Sequence, residues 1–130
     1  MPSIEPIKAK NVFDPTTYTQ AIKVTGADSL LFLSGQVAYD QSGGVEHVSD
    51  FKGQARAAFN AVKALVTAAG GDLSNVIKFT IFVTDMRYRN DYAAVRQEFY
   101  PEGFPTSTLV EVSALAHPAW LIEIEAIAVL

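Results

Sequence analysis

The apolar positions follow period two in several short runs and helical period in one long one. Tyr18 to Thr25 (YTQAIKVT) and Leu30 to Gln36 (LLFLSGQ) read as strands, and the turn residues Gly26-Ala27-Asp28 between them predict a hairpin. Ala38 to Ser49 (AYDQSGGVEHVS) is rich in turn residues and short enough for a surface loop. Beyond it, Phe51, Ala55, Ala58, Phe59, Val62, Leu65, Val66 and Ala69 recur at i, i+4, i+7 and i+8. That stripe predicts a helix, capped by Ser49 or Asp50 and ended by Gly70-Gly71. Asp72 to Asn75 turns into a strand, Val76 to Val83. A second, shorter helix follows from Asn90 to Phe99, opened by an Asn or Asp cap and stopped by Pro101, Gly103 and Pro105. Ser107 to Val112 and Trp120 to Leu130 complete the strands.

The last strand has two unlike faces. Ile122, Ile124, Ala126, Ala128 and Leu130 alternate with Leu121, Glu123, Glu125, Ile127 and Val129. The even, wholly apolar set packs on the two helices. The odd set mixes acid with large apolar groups, as do Lys78, Thr80 and Phe82 on the strand from Val76. A face turned only to water rarely keeps Phe82, Ile127 and Val129, so it reads as a buried subunit interface. A solvated face with scattered apolar residues is the plainer alternative.

Composition narrows the function classes. The 130 residues are 49% apolar and 18% charged, enough for one core and too apolar for disorder. With no repeat and no linker, residues 1–130 form a single domain. The net charge of −4 leaves no basic footprint for nucleic acid, and the lack of cysteine removes disulfides and thiolate chemistry. No apolar run reaches the ~18 residues of a membrane span, and the N-terminus carries no signal pattern. The expectation is a cytoplasmic protein without membrane or nucleic-acid partners.

Familiar catalytic signatures are missing: G-x-G-x-x-G, the P-loop, G-x-S-x-G and H-E-x-x-H do not occur. His47 and His117 stand alone, so neither metal nor cofactor is expected. What remains is polar residues at the ends of apolar strands. Ser34-Gly35-Gln36 closes one strand, and its glycine admits a ligand close to the backbone. Glu123 sits among apolar residues, where a carboxylate needs a partner. Arg87, Arg89 and Arg96 cluster before and within the second helix. On composition and periodicity alone a strand end, a salt-bridged interface acid and a solvated helix face are the favoured readings of these three features.

The ordered series as a whole says more. It runs through Tyr18-x-Gln20-Ala21, Leu33-Ser34-Gly35-Gln36, Gln54-Ala55-Arg56 and Asn60-Ala61-Val62-Lys63-Ala64. Val76-Ile77-Lys78, Phe82-Val83-Thr84-Asp85-Met86, Val110-Glu111-Val112, Leu115 and Ile122-Glu123-Ile124-Glu125-Ala126-Ile127-Ala128 continue it. In this order and spacing, from Tyr18 onward, the chain resembles the RidA (YjgF/YER057c/UK114) family, also called endoribonuclease L-PSP-like. The resemblance implies an α+β, chorismate-mutase-like fold: a mixed six-stranded sheet with two helices on one face. It further implies a homotrimer around a central barrel, with ligand clefts between subunits.

In the best-understood branch of that family the enzymes hydrolyse enamines and imines to ketones and ammonia, and an arginine in a Pro-Ala-Arg-Ser stretch grips the substrate carboxylate. Here the stretch is Pro105-Thr106-Ser107-Thr108, so Ser107 stands at the arginine's position. Its hydroxyl offers a hydrogen bond and no charge. Arg96 stands where that branch has an asparagine. The resemblance therefore implies an arginine-less branch. Glu123 would orient or deprotonate water, while Tyr18, Ser34, Gly35, Arg96, Ser107 and Thr108 would form the small-molecule site. A non-catalytic binding trimer is the second reading. Ribonuclease activity comes last, for want of a basic groove or paired histidines.

Overall fold

A computed structural model describes residues 2–130. Strands β1 (Ser3–Ile7), β2 (Ala21–Thr25) and β3 (Leu30–Gln36) precede helix α1 (Phe51–Ala68). Strand β4 (Val76–Val83), helix α2 (Arg89–Phe99) and strands β5 (Thr106–Glu111) and β6 (Ile122–Val129) follow. The architecture is α+β, as the sequence implies, and all six strands form. They do not make one sheet: β3-β6-β4-β5 is a four-stranded mixed sheet, and β1-β2 is a separate antiparallel ribbon.

That division corrects the hairpin. Ala21 to Thr25 pairs with Ser3–Ile7, a strand the sequence pattern did not reveal, and not with Leu30–Gln36. Gly26 turns with φ +73°, but the residues after it are committed elsewhere: Asp28 and Ser29 both donate to the Leu130 carbonyl, and Leu130 donates back to Ser29. These bonds lay β3 against β6, with Leu30 opposite Val129 and Phe32 opposite Ile127. The other edge of β3 stays open, and Leu30 and Phe32 are 59% and 71% exposed.

The core lies between the four-stranded sheet and the two helices. Phe51, Ala55, Ala58, Phe59, Val62 and Val66 form the buried stripe of α1, whereas Leu65, assigned to that stripe by its spacing, is exposed. Asp50 caps α1 by accepting from the Gly53 amide. Ile122, Ile124, Ala126 and Ala128 of β6 are buried against the helices, and Phe59 meets Phe79 edge-on at 5.6 Å between ring centres. The odd face of β6 lies open in the single chain, with Glu125 exposed and Glu123 and Ile127 half-buried. Val129 breaks that pattern: it is buried beside a register slip in which Val76 faces Ala128 while Lys78 faces Ile127.

Helix α2 begins differently from its expected Asn or Asp cap. Residue 88, its cap, makes no side-chain capping bond. A 3-10 turn, Met86–Tyr88, runs directly into the helix and is itself capped by Asp85. That leading turn sets the direction of α2 and so carries the arginines to one side of β5.

Candidate functional site

The parallel pairing of β5 with β4 sets Ser107 beside Phe79 and Leu109 beside Ile81, on the helix side of the sheet. Thr106 and Thr108 alternate to the other side. Across from Ser107, α2 presents Arg89, Tyr92, Ala93 and Arg96 to a cavity of about 620 Å³. Thr17 and Tyr18 close its rim. The arm that carries them is fastened to the start of β5: the Thr19 amide donates to the Pro105 carbonyl at 3.1 Å, and the Thr19 hydroxyl donates to the Phe104 carbonyl.

The walls are basic and hold no acid. Among the described residues Arg89 and Arg96 are the only charged ones lining the cavity, although the chain has 14 acidic residues against 10 basic ones. Neither joins an ion pair among the described residues. Glu98, two residues further along α2, is held by Arg56 at 2.9 Å, and Arg87 turns away to Asp85 at 2.7 Å. The Arg96 Nε is buried without a hydrogen-bond partner, a state that costs about 1–3 kcal/mol until something accepts a hydrogen bond from it. Its guanidinium carbon lies 5.8 Å from the centre of the Phe104 ring, which orients the group at little cost in solvation. Burial pushes the Tyr92 phenol up to about 12, against the opposing pull of the Ser107 hydroxyl and the Arg96 charge. Tyr92 is thus a neutral hydroxyl at neutral pH, able to donate or accept.

The remaining candidates lie on the other face. Glu123 pairs with Phe82 across β6 and β4, and its neighbours Ile122 and Ile124 point into the core, so its side chain leaves on the open side. It lies directly on Gly35: a Cβ built at Gly35 would stand 2.6 Å from the Glu123 Cδ and 2.8 Å from Cγ. Only a glycine permits that approach. The pairing of β3 with β6 is irregular between Leu33 and Gln36, where Ser34 and Gly35 lie. Thr108 shares the open face. The fold thus brings together Tyr18, Arg96 and Ser107 on one side and Gly35 and Glu123 on the other, with the sheet between them. Neither His47 nor His117 lines the cavity, and His117 accepts from the Ala119 amide.

Arg89 and Tyr92 were not among the residues singled out as site residues in the sequence. Their signal was present: Arg89, Tyr92 and Arg96 stand at i, i+3 and i+7, one face of a helix. A further buried group, Gln54, joins α1 to the approach of β6. Its amide donates to the carbonyls of His47 and Ala119 at 3.1 and 2.9 Å, and its oxygen accepts from the Leu121 amide at 2.8 Å. A smaller cavity of about 250 Å³ inside the N-terminal arm shares Tyr18 with the site, and its Lys8 and Asp14 pair with each other at 3.0 Å.

Comparison with known proteins agrees with this fold. The model of the family described as endoribonuclease L-PSP matches residues 10–130. A RutC family protein of Pyrococcus horikoshii is 41% identical over 114 residues, covering 85% of each chain. The 3-aminoacrylate deaminase RutC of Acinetobacter baylyi is 33% identical over 117 residues, covering 88% of this chain and 90% of its own. Among solved structures, YyfB of the conserved Rid protein family from Yersinia pestis superposes with a TM-score of 0.85 at 26% identity, covering 98% of each chain.

Proposed function

The chain belongs to the endoribonuclease L-PSP (RidA) family, and on that premise we propose that it is a deaminase-type hydrolase, converting a small enamine or imine acid to the ketone and ammonia. The observation that carries this reading is the acid-free cavity in which Arg96 stands across from Ser107, the residue at the family arginine's position. A guanidinium there binds a carboxylate through charge-assisted hydrogen bonds, and the Tyr92 and Ser107 hydroxyls add neutral ones. Tyr18 closes the site over the bound acid.

Glu123 is the proposed base. An enamine first tautomerises to the imine. Glu123 then accepts a proton from water as the oxygen adds to the C=N carbon, the π electron pair moves to nitrogen, and Glu123 returns the proton to that nitrogen. The resulting carbinolamine expels ammonia and leaves the C=O bond. Water is the only co-reactant. Within one chain, Glu123 and Ser107 leave opposite faces of the sheet, so both act on one substrate only when they come from different copies. A cytoplasmic homotrimer with clefts between subunits, its Phe32 and Ile127 faces turned inward, meets that requirement. Ser34, Gly35 and Thr108 then line the wall contributed with Glu123.

The test is turnover of a panel of freshly generated enamines by the purified protein. Acceleration of ketone release is expected. Glu123→Gln should abolish it at unchanged oligomer mass, and Arg96→Ala should weaken carboxylate binding by about tenfold or more. Binding without any acceleration overturns the reading in favour of a non-catalytic binding trimer, which the serine at position 107 would suit. Ribonuclease cleavage has the least support, since no histidine lines the cavity and the net charge is −4.

A further inference from the structure

One arginine is enough to hold one carboxylate, yet the cavity has two. Arg89 and Arg96 are seven residues apart on α2, and seven steps of 100° fall only about 20° short of two full turns. Both side chains therefore leave the same face of the helix, their backbones about 10 Å apart along its axis. Both line the one cavity, and no carboxylate of the chain reaches it. Like charges on a common wall repel, and among the described residues no ion pair or side-chain hydrogen bond uses either group. Their pairing has a use when a ligand neutralises both.

We infer that this cavity takes a small dianion with an acidic group at each end, a dicarboxylic enamine or imine and not a short monocarboxylic one, with Arg96 gripping the inner carboxylate and Arg89 the outer. The inference rests on the deaminase reading for the reactive C=N group alone; the recognition of two acidic ends stands on the arginines. Position decides the division of labour. Arg96 is half-buried, with its Nε closed to water, and sits across from Ser107 beneath the rim. Arg89 is exposed at the first turn of α2, beside Met86 and Asn90 at the mouth. The inner group binds in the drier place and gives most of the affinity, while the outer one discriminates by length. A cavity of about 620 Å³ has room for the longer ligand.

Calorimetric titration of the whole protein with glutarate and adipate, against pentanoate and hexanoate of the same carbon number, tests the inference. Each dicarboxylate should bind about tenfold or more tightly than its monocarboxylate partner, the gain one charge-assisted contact supplies. Arg89→Ala, at an exposed position that the fold does not use, should bring the dicarboxylate down to the monocarboxylate's affinity and leave the latter nearly unchanged. Arg96→Ala should weaken both, and Arg96→Lys, which keeps charge and bulk, should recover part of the loss. Equal affinity for the two classes in the wild type, or a dicarboxylate preference that survives Arg89→Ala, overturns the inference. Enamine turnover without that preference would defeat the inference alone. Dicarboxylate binding through both arginines without turnover would uphold it and defeat the deaminase reading.

Discussion

Gly35→Ala puts one methyl group against the proposed base. The new Cβ would lie 2.6 Å from the Glu123 Cδ and 2.9 Å from its Oε2, where ordinary contacts begin near 3.5 Å. The carboxyl must move by about 1 Å. The movement is cheap for folding, because the atoms in the way are the far end of a half-buried, flexible side chain. An off-rotamer displacement costs about 0.5–1.5 kcal/mol. Gly35 does not have a positive φ, so alanine fits its backbone and recovers about 0.4–1 kcal/mol by restricting the unfolded chain. The two terms nearly cancel, and a melting temperature within about 4 °C of wild type is expected. Catalysis is less forgiving, since a 1 Å misplacement of a reacting group costs about a hundredfold. Parallel thermal melts and enamine turnover assays decide the matter. Unchanged turnover in a well-folded Gly35→Ala protein would refute the argument that Glu123 acts from its place on Gly35.

Three more outcomes follow from other contacts. Gln54→Ala leaves the carbonyls of His47 and Ala119 and the Leu121 amide without partners in the interior, and should cost about 3 kcal/mol, read as a lowered urea midpoint at unchanged slope. Phe32→Glu places a charge on the open face beside Ile127, so light scattering should report a monomer; retention of the wild-type mass would mean that this face does not join the subunits. The Arg56 guanidinium holds the Glu98 carboxyl below its ordinary value of 4.5, so the pair's contribution is complete above about pH 4.5 and lost as pH falls through the lower folded value. Urea midpoints of wild type and Arg56→Ala should therefore differ at pH 6 and converge in acid, and the difference should shrink in high salt because both groups are exposed.

Much of this molecule was already written in local patterns. The stripe from Phe51 to Val66 and the alternation from Ile122 to Ala128 specify which faces are buried, because helix and strand periods are properties of the backbone and operate before any partner arrives. Asp50 and the glycine pair after α1 likewise act within a few residues. The resemblance carried by Tyr18, Glu123 and the residues around Ser107 was legible for the same reason, as a series of short spacings. Partner choice was not legible. Period two says that Ala21–Thr25 is a strand and is silent on whether β1 or β3 pairs with it; bonds from Asp28 and Ser29 to Leu130, a hundred residues away, decided that. The side of the sheet on which each polar residue emerges also depended on strand order, which separated Glu123 from Ser107. Arg96's freedom from an acid partner was equally a tertiary matter: the fold brings no carboxylate of a described residue within ion-pair distance of it.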